Sequence, residues 1–102
     1  MVDAMDLDRP VETTISIEGP ATIYEAKALR ETLRQALARP GTLNIDLGNS
    51  GKWDLAGLQL LISCVRSGQS QGRNVRLTRV PKVCAEIAER SGLSQWLRSV
   101  SE

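Results

Sequence analysis

The 102-residue chain predicts a layered α/β sandwich: a small, mainly parallel or mixed sheet of three to five strands, covered by three to four helices. Three observations point there. Short segments with an apolar residue at every second position (13–18, 43–47 and 75–80) alternate with longer segments whose apolar residues recur at helical spacing. The stretches between the strand-like segments are long enough to hold a helix, which favours right-handed crossovers and parallel neighbours. Glycine or proline stands at the changeovers, at Gly19-Pro20, Pro40-Gly41, Gly72, Pro81 and Gly92.

Taken in order, residues 1–12 read as a flexible N-terminal arm. Met1–Asp8 is acidic and aperiodic, Pro10 follows, and at most an edge strand is expected there; residues 13–102 form a single domain. Thr13–Glu18 places Ile15 and Ile17 on one face of a strand that Gly19-Pro20 ends. Thr22 and Glu25 have capping-box spacing, so a helix starts there, with an inward stripe of Ile23, Ala26, Leu29, Leu33, Ala36 and Leu37. Lys27, Arg30, Glu31 and Arg34 lie on its solvated side, where Lys27 and Glu31 are spaced to pair. Arg39-Pro40-Gly41 terminates this helix.

Leu43–Leu47 alternates as a second strand, and Gly48–Gly51 reads as a loop. Asp54 is placed to cap a helix running to about Gln69, whose stripe is Leu55, Leu58, Leu61, Ile62, Val65 and Cys64. Gln71–Asn74 breaks that helix and Val75–Val80 forms a third strand. Pro81 can open a last long helix with Val83, Cys84, Ile87, Ala88 and Ser91 inward. Gly92-Leu93 has the form of a helix C-terminal motif, and a short segment through Trp96 closes the chain.

Composition narrows the function. Aromatic residues are 3% and phenylalanine is absent, leaving few rings for stacking on bases, and a net charge of +1 gives no field to attract nucleic acid or an anionic membrane. There is no histidine, the commonest general base and metal ligand. Cys64 and Cys84 are too far apart for a C-x-x-C pair and read as buried thiols. No Gly-rich loop followed by Lys-Ser/Thr is present, and Asp46 and Asp54 are accounted for by a strand-surface and a capping role. The expectation is a non-enzyme with no metal and no cofactor. Without a signal-peptide-like start or a run of transmembrane length, it is expected in the cytoplasm.

The segment Trp53-Asp54-Leu55-Ala56-Gly57-Leu58, the aliphatic helix after it, Gln71–Leu77 and Ser91-Gly92-Leu93 together resemble the STAS family, over roughly Thr13 to Leu97. These are anti-sigma factor antagonist domains, found also in sulphate transporters. The resemblance implies a STAS-like fold and a bacterial signalling or transcription-regulating role. In regulatory members the motif reads Asp-Ser-Ser/Thr-Gly-Leu, and the first serine is phosphorylated by a partner kinase that is also the anti-sigma factor. Here Leu55 stands at that serine and Ala56 at the second hydroxyl residue, so neither offers an oxygen to a phosphoryl group. Ser50, in the preceding loop, and Ser63, two turns into the helix, are poorly placed to substitute.

The outward face of the central helix, Ala56, Gln59, Leu60, Ser63, Arg66 and Ser67, carries one charge and contrasts with the charged first helix. It predicts a surface that meets another protein, with Trp53, Asp54, Leu55, Ala56, Gly57, Gln59, Leu60 and Ser63 as the partner-binding set. Trp53 could equally complete the core, and Gly57 could serve close packing. The resemblance implies a regulatory partner such as an ATP-binding anti-sigma kinase. Alternatives are the ATPase of a lipid-trafficking ABC transporter, whose small STAS subunits often carry threonine where Leu55 stands, or a chemotaxis-type system. Nucleic-acid binding and membrane insertion are not expected; a homodimer is compatible.

Overall fold

The computed structural model describes residues 11–102; of the arm expected at 1–12, residues 1–10 lie outside the described residues and Glu12 opens β1. The elements run β1 (Glu12–Ser16), β2 (Gly19–Ala21), a 3-10 turn (Ile23–Glu25), α1 (Ala26–Leu37), β3 (Thr42–Asp46), β4 (Ser50–Trp53), α2 (Leu55–Ser70), β5 (Val75–Thr78), α3 (Lys82–Arg90) and α4 (Ser94–Val100). The main sheet has the order β1-β3-β5, with both pairings parallel and Ile15, Ile45 and Leu77 in register across it. Each step from strand to strand passes through a helix and proceeds in the same direction, so right-handed crossovers stack α1 and α2 on one face.

That face holds the core. Leu43, Ile45 and Leu47 are fully buried, as are Leu58, Leu61 and Val65 of α2, and Leu29, Leu33 and Ala36 of α1 close over them. Burial at this density supplies the main stabilisation, roughly 1.5–3 kcal/mol for each large aliphatic side chain. On the other face Thr14, Asn44, Asp46, Arg76 and Thr78 line an open, polar surface. Ile15, Ile45 and Leu77 alternate with these residues, as the period of two requires.

The second sheet was not expected from the sequence. β2 and β4 form a parallel pair whose register shifts between Gly19 and Ala21. Gly19-Pro20 reads as the end of the first strand and Gly48–Gly51 as a loop, because neither shows β-branched alternation and both contain strand breakers. Long-range bonds, such as Gly19 N–H to the Asn49 carbonyl at 3.2 Å, hold what local propensity does not.

Other expectations need correction at particular residues. The Thr22–Glu25 capping box forms, with the Glu25 carboxylate accepting from the Thr22 N–H at 2.8 Å, but it opens a 3-10 turn before α1 begins. The tighter turn rotates Ile23 off the inward stripe, and it is 59% exposed. Leu55, also placed in a buried stripe, is 43% exposed at the first position of α2. Glu31 pairs with Arg34 at 2.7 Å rather than with Lys27. Ser91 is exposed and ends α3 instead of packing inside it.

The expected C-terminal motif is present. Gly92 has φ +73, its N–H reaches the Glu89 carbonyl, and the Leu93 N–H reaches the Ala88 carbonyl at 2.7 Å. After α4, Ser101 makes an isolated parallel bridge to Leu77, so the chain end touches the free edge of β5.

Candidate partner-binding site

β4 delivers the chain to Asp54, whose backbone is extended and whose side chain caps α2. One carboxylate oxygen accepts from the Gly57 N–H at 2.9 Å, as the sequence predicts for an N-cap. The other oxygen accepts from the Ile23 N–H, also at 2.9 Å, across a separation of 31 residues. A single side chain therefore anchors both the start of α2 and the turn that leads into α1. These bonds, Gly57 first and Ile23 second, hold the Asp54 carboxyl below the usual carboxylate range.

Gly57 lies against β2. A Cβ there would fall within contact distance of the Ala21 carbonyl oxygen, 2.9 Å from its carbonyl carbon and 3.2 Å from the Trp53 ring. Of the two explanations for this glycine, close packing is what the geometry shows. Trp53 is buried at 6% exposure, and its indole N–H donates to the Ser50 hydroxyl at 2.8 Å. That hydroxyl in turn donates to the Leu47 carbonyl at 2.6 Å. Trp53 and Gly57 thus support the surface from beneath, and the Ser50 oxygen is committed to internal bonds.

What the two bonds of Asp54 gather above this support is apolar. Ile23 at 59%, Tyr24 at 91% and Leu55 at 43% are three of the four large hydrophobic side chains exposed among the described residues. Ala56 is half-buried beside them. Sequence reasoning missed Ile23 and Tyr24, and the signal was the capping box itself: the two residues after Thr22 occupy the outward start of a capped turn. Gln59 and Ser63 are exposed, while Leu60 is half-buried and packed on the core. Leu60 and Ser63 also line a groove of about 220 Å³ between α1 and α2.

Of the acidic groups near the loop before α2, Asp46 is engaged in an ion pair. Arg79, at φ +50, grips both oxygens of Asp46 at 2.9 and 2.8 Å, and the Gly48 N–H adds a third bond, so the Asp46 carboxyl is held low by Arg79 first. Burial pushes the Cys64 thiol up to about 11 and the Cys84 thiol to about 12. Among the described residues no group of three or more His, Cys, Asp or Glu is positioned to hold a metal ion. What the arrangement offers a ligand is apolar contact and backbone-anchored rigidity, the properties of a docking surface.

Comparison with known proteins agrees with this architecture. A family model described as "Mlab, STAS domain" matches residues 5–99. No curated protein matches the chain. Among solved structures, a sulfate transporter family protein from Wolinella succinogenes is similar, with a TM-score of 0.70, 19% identity and coverage of 88% of this chain and 75% of that one. The STAS domain of a SulP transporter from Vibrio cholerae has a TM-score of 0.66 at 16% identity, covering 88% of this chain and 71% of its own. The anti-sigma factor antagonist SpoIIAA in its unphosphorylated form has a TM-score of 0.60 at 12% identity, with 76% and 73% covered. Matched by the family model over almost its whole length and folded like these proteins, the chain belongs to the STAS domain family.

Proposed function

We propose that this STAS domain is a non-catalytic protein–protein interaction module that docks through the start of α2 and is not phosphorylated there. The observation behind the reading is Leu55: at the place of the family's phosphoacceptor it presents exposed carbon, flanked by Ile23 and Tyr24. A phosphate at a helix start is favoured by free N–H groups and the helix dipole. Here the Asp54 carboxylate already occupies the Gly57 and Ile23 N–H groups, and neither Leu55 nor Ala56 can form the ester. The surface has lost the chemistry of a switch and kept that of a contact.

The partner in this reading is a regulatory protein of the ATP-binding anti-sigma kinase type, met in the cytoplasm. A second reading is a small STAS subunit docked on the ATPase of a lipid-trafficking ABC transporter, the alternative that the family model's description, "Mlab, STAS domain", favours. Affinity isolation followed by binding measurements with the purified partner separates them: a kinase-like regulator supports the first, an ATPase subunit the second. Leu55→Glu and Leu60→Glu are each expected to abolish the complex. Retained binding by both would refute the surface, and stoichiometric phosphate between Ser50 and Ser67, seen by mass spectrometry after incubation with a partner kinase, would refute independence from phosphorylation.

A further inference from the structure

We infer that the groove between α1 and α2 receives an acidic, amphipathic helical segment of the partner; this rests on the reading of the chain as an interaction module and specifies what the partner presents. Leu33, Leu37 and Leu60 form the floor, Arg30 and Arg34 stand one helical turn apart on one wall, and Ser63 stands on the other. The groove holds about 220 Å³. A cavity of about 150 Å³ takes a benzene ring, so this one accepts a large aliphatic or aromatic side chain. An open channel between two helices suits a third helix whose anchors recur at i, i+3 and i+4.

Charge selects the kind of helix. The walls carry two guanidinium groups and no carboxylate among the described residues. Glu31 answers Arg34 from outside the groove at 2.7 Å, whereas Arg30 meets no carboxylate among the described residues. With Arg34 answered by Glu31, the unbalanced charge at the groove is that of Arg30. A neutral or basic segment laid here would strip water from Arg30 without replacing it, a cost that a flanking Asp or Glu converts into a charge-assisted bond. The aliphatic stems of both arginines extend the apolar wall toward such a segment.

The test is selection from a displayed library of amphipathic helices about four turns long with freely varied polar positions. Selected sequences are expected to place Leu, Ile, Met or Phe at helical spacing beside Asp or Glu. A synthetic peptide of the best sequence should lose at least about tenfold in affinity, by fluorescence anisotropy, with the double variant Arg30→Glu and Arg34→Glu. Leu60→Glu should have the same effect, and Lys82→Glu, a single charge reversal at an exposed position of α3, should have none. The double variant changes only exposed residues, so a misfolded Leu60→Glu would leave the test intact. Selection of neutral or basic helices, selection of nothing, or indifference to both groove variants would overturn the inference. So would binding that appears only after residues 1–8 are deleted, which would assign the groove to the chain's own acidic start. In any of these cases the module reading is judged separately, by the effect of Leu55→Glu on the partner complex.

Discussion

Gly57→Ala tests how α2 is seated. In an exposed helix interior the change would stabilise by about 1 kcal/mol, since alanine gains that much helix propensity over glycine. At this position the new Cβ would sit 2.9 Å from the Ala21 carbonyl carbon and 3.2 Å from the Trp53 ring, and the nearer neighbour is backbone that cannot rotate away. Overpacking of this kind costs about 1–3 kcal/mol. Moving β2 outward would also stretch the Ile23 N–H to Asp54 bond, 2.9 Å long, and a hydrogen bond to a charged group contributes about 1.5–3 kcal/mol. Set against the propensity gain, the expected net result is a destabilisation of about 2 kcal/mol or more. For a domain of this size that lowers the melting temperature by about 10 °C. Urea unfolding followed by circular dichroism reads the midpoint, and an unchanged slope would show that the denatured state is not involved. An increase in stability would refute the reasoning, because it would mean that propensity outweighs a contact the structure makes unavoidable.

Three further outcomes follow from the same geometry. Asp54→Asn should cost about 1–2 kcal/mol, because the amide keeps one acceptor and turns an N–H group toward a backbone donor. The folded-state pKa of Asp54 is depressed, so its contribution is complete above the unfolded pKa and is lost as pH falls through the folded one; between about pH 5 and pH 2 the urea midpoint of Asp54→Asn should fall less steeply than that of the parent. Arg73→Met should destabilise by about 2 kcal/mol in the same assay, since Arg73 donates to the Gly41 and Leu37 carbonyls, each at 2.8 Å, and to Ala36 at 3.4 Å, tying down the end of α1. Native protein at mildly alkaline pH should resist a thiol-specific reagent until denaturant is added, because burial raises Cys64 to about 11 and Cys84 to about 12.

The long, periodic segments were legible in the sequence because burial writes its period directly into them. β1, β3 and β5 show alternation, α2 carries Leu58, Leu61 and Val65 at helical spacing, and the caps at Thr22, Asp54 and Gly92 stand where their chemistry requires. β2 and β4 left no such trace. Three or four residues containing glycine or proline pair only because the rest of the fold brings them together, and that information is not local. The candidate site was half legible for a related reason. The motif located Asp54 and Leu55, but a carboxylate has two oxygens, and the second one reaches a residue 31 positions earlier that no helical pattern connects to it. Arg73 was hidden in the same way: its sequence neighbours mark a loop, while its guanidinium serves the far end of another helix.

The one-sided covering of the main sheet gives the molecule a front and a back. Among the described residues, α1 and α2 pack on one face of the main sheet, while Thr14, Asn44 and Thr78 present small polar groups on the other. A cysteine installed at Asn44 would place a fluorophore or a surface tether at the centre of that back face, on the central strand. Because Cys64 and Cys84 are buried, such a thiol could be coupled selectively, leaving the α2 surface directed outward for partner measurements on an immobilised, uniformly oriented domain.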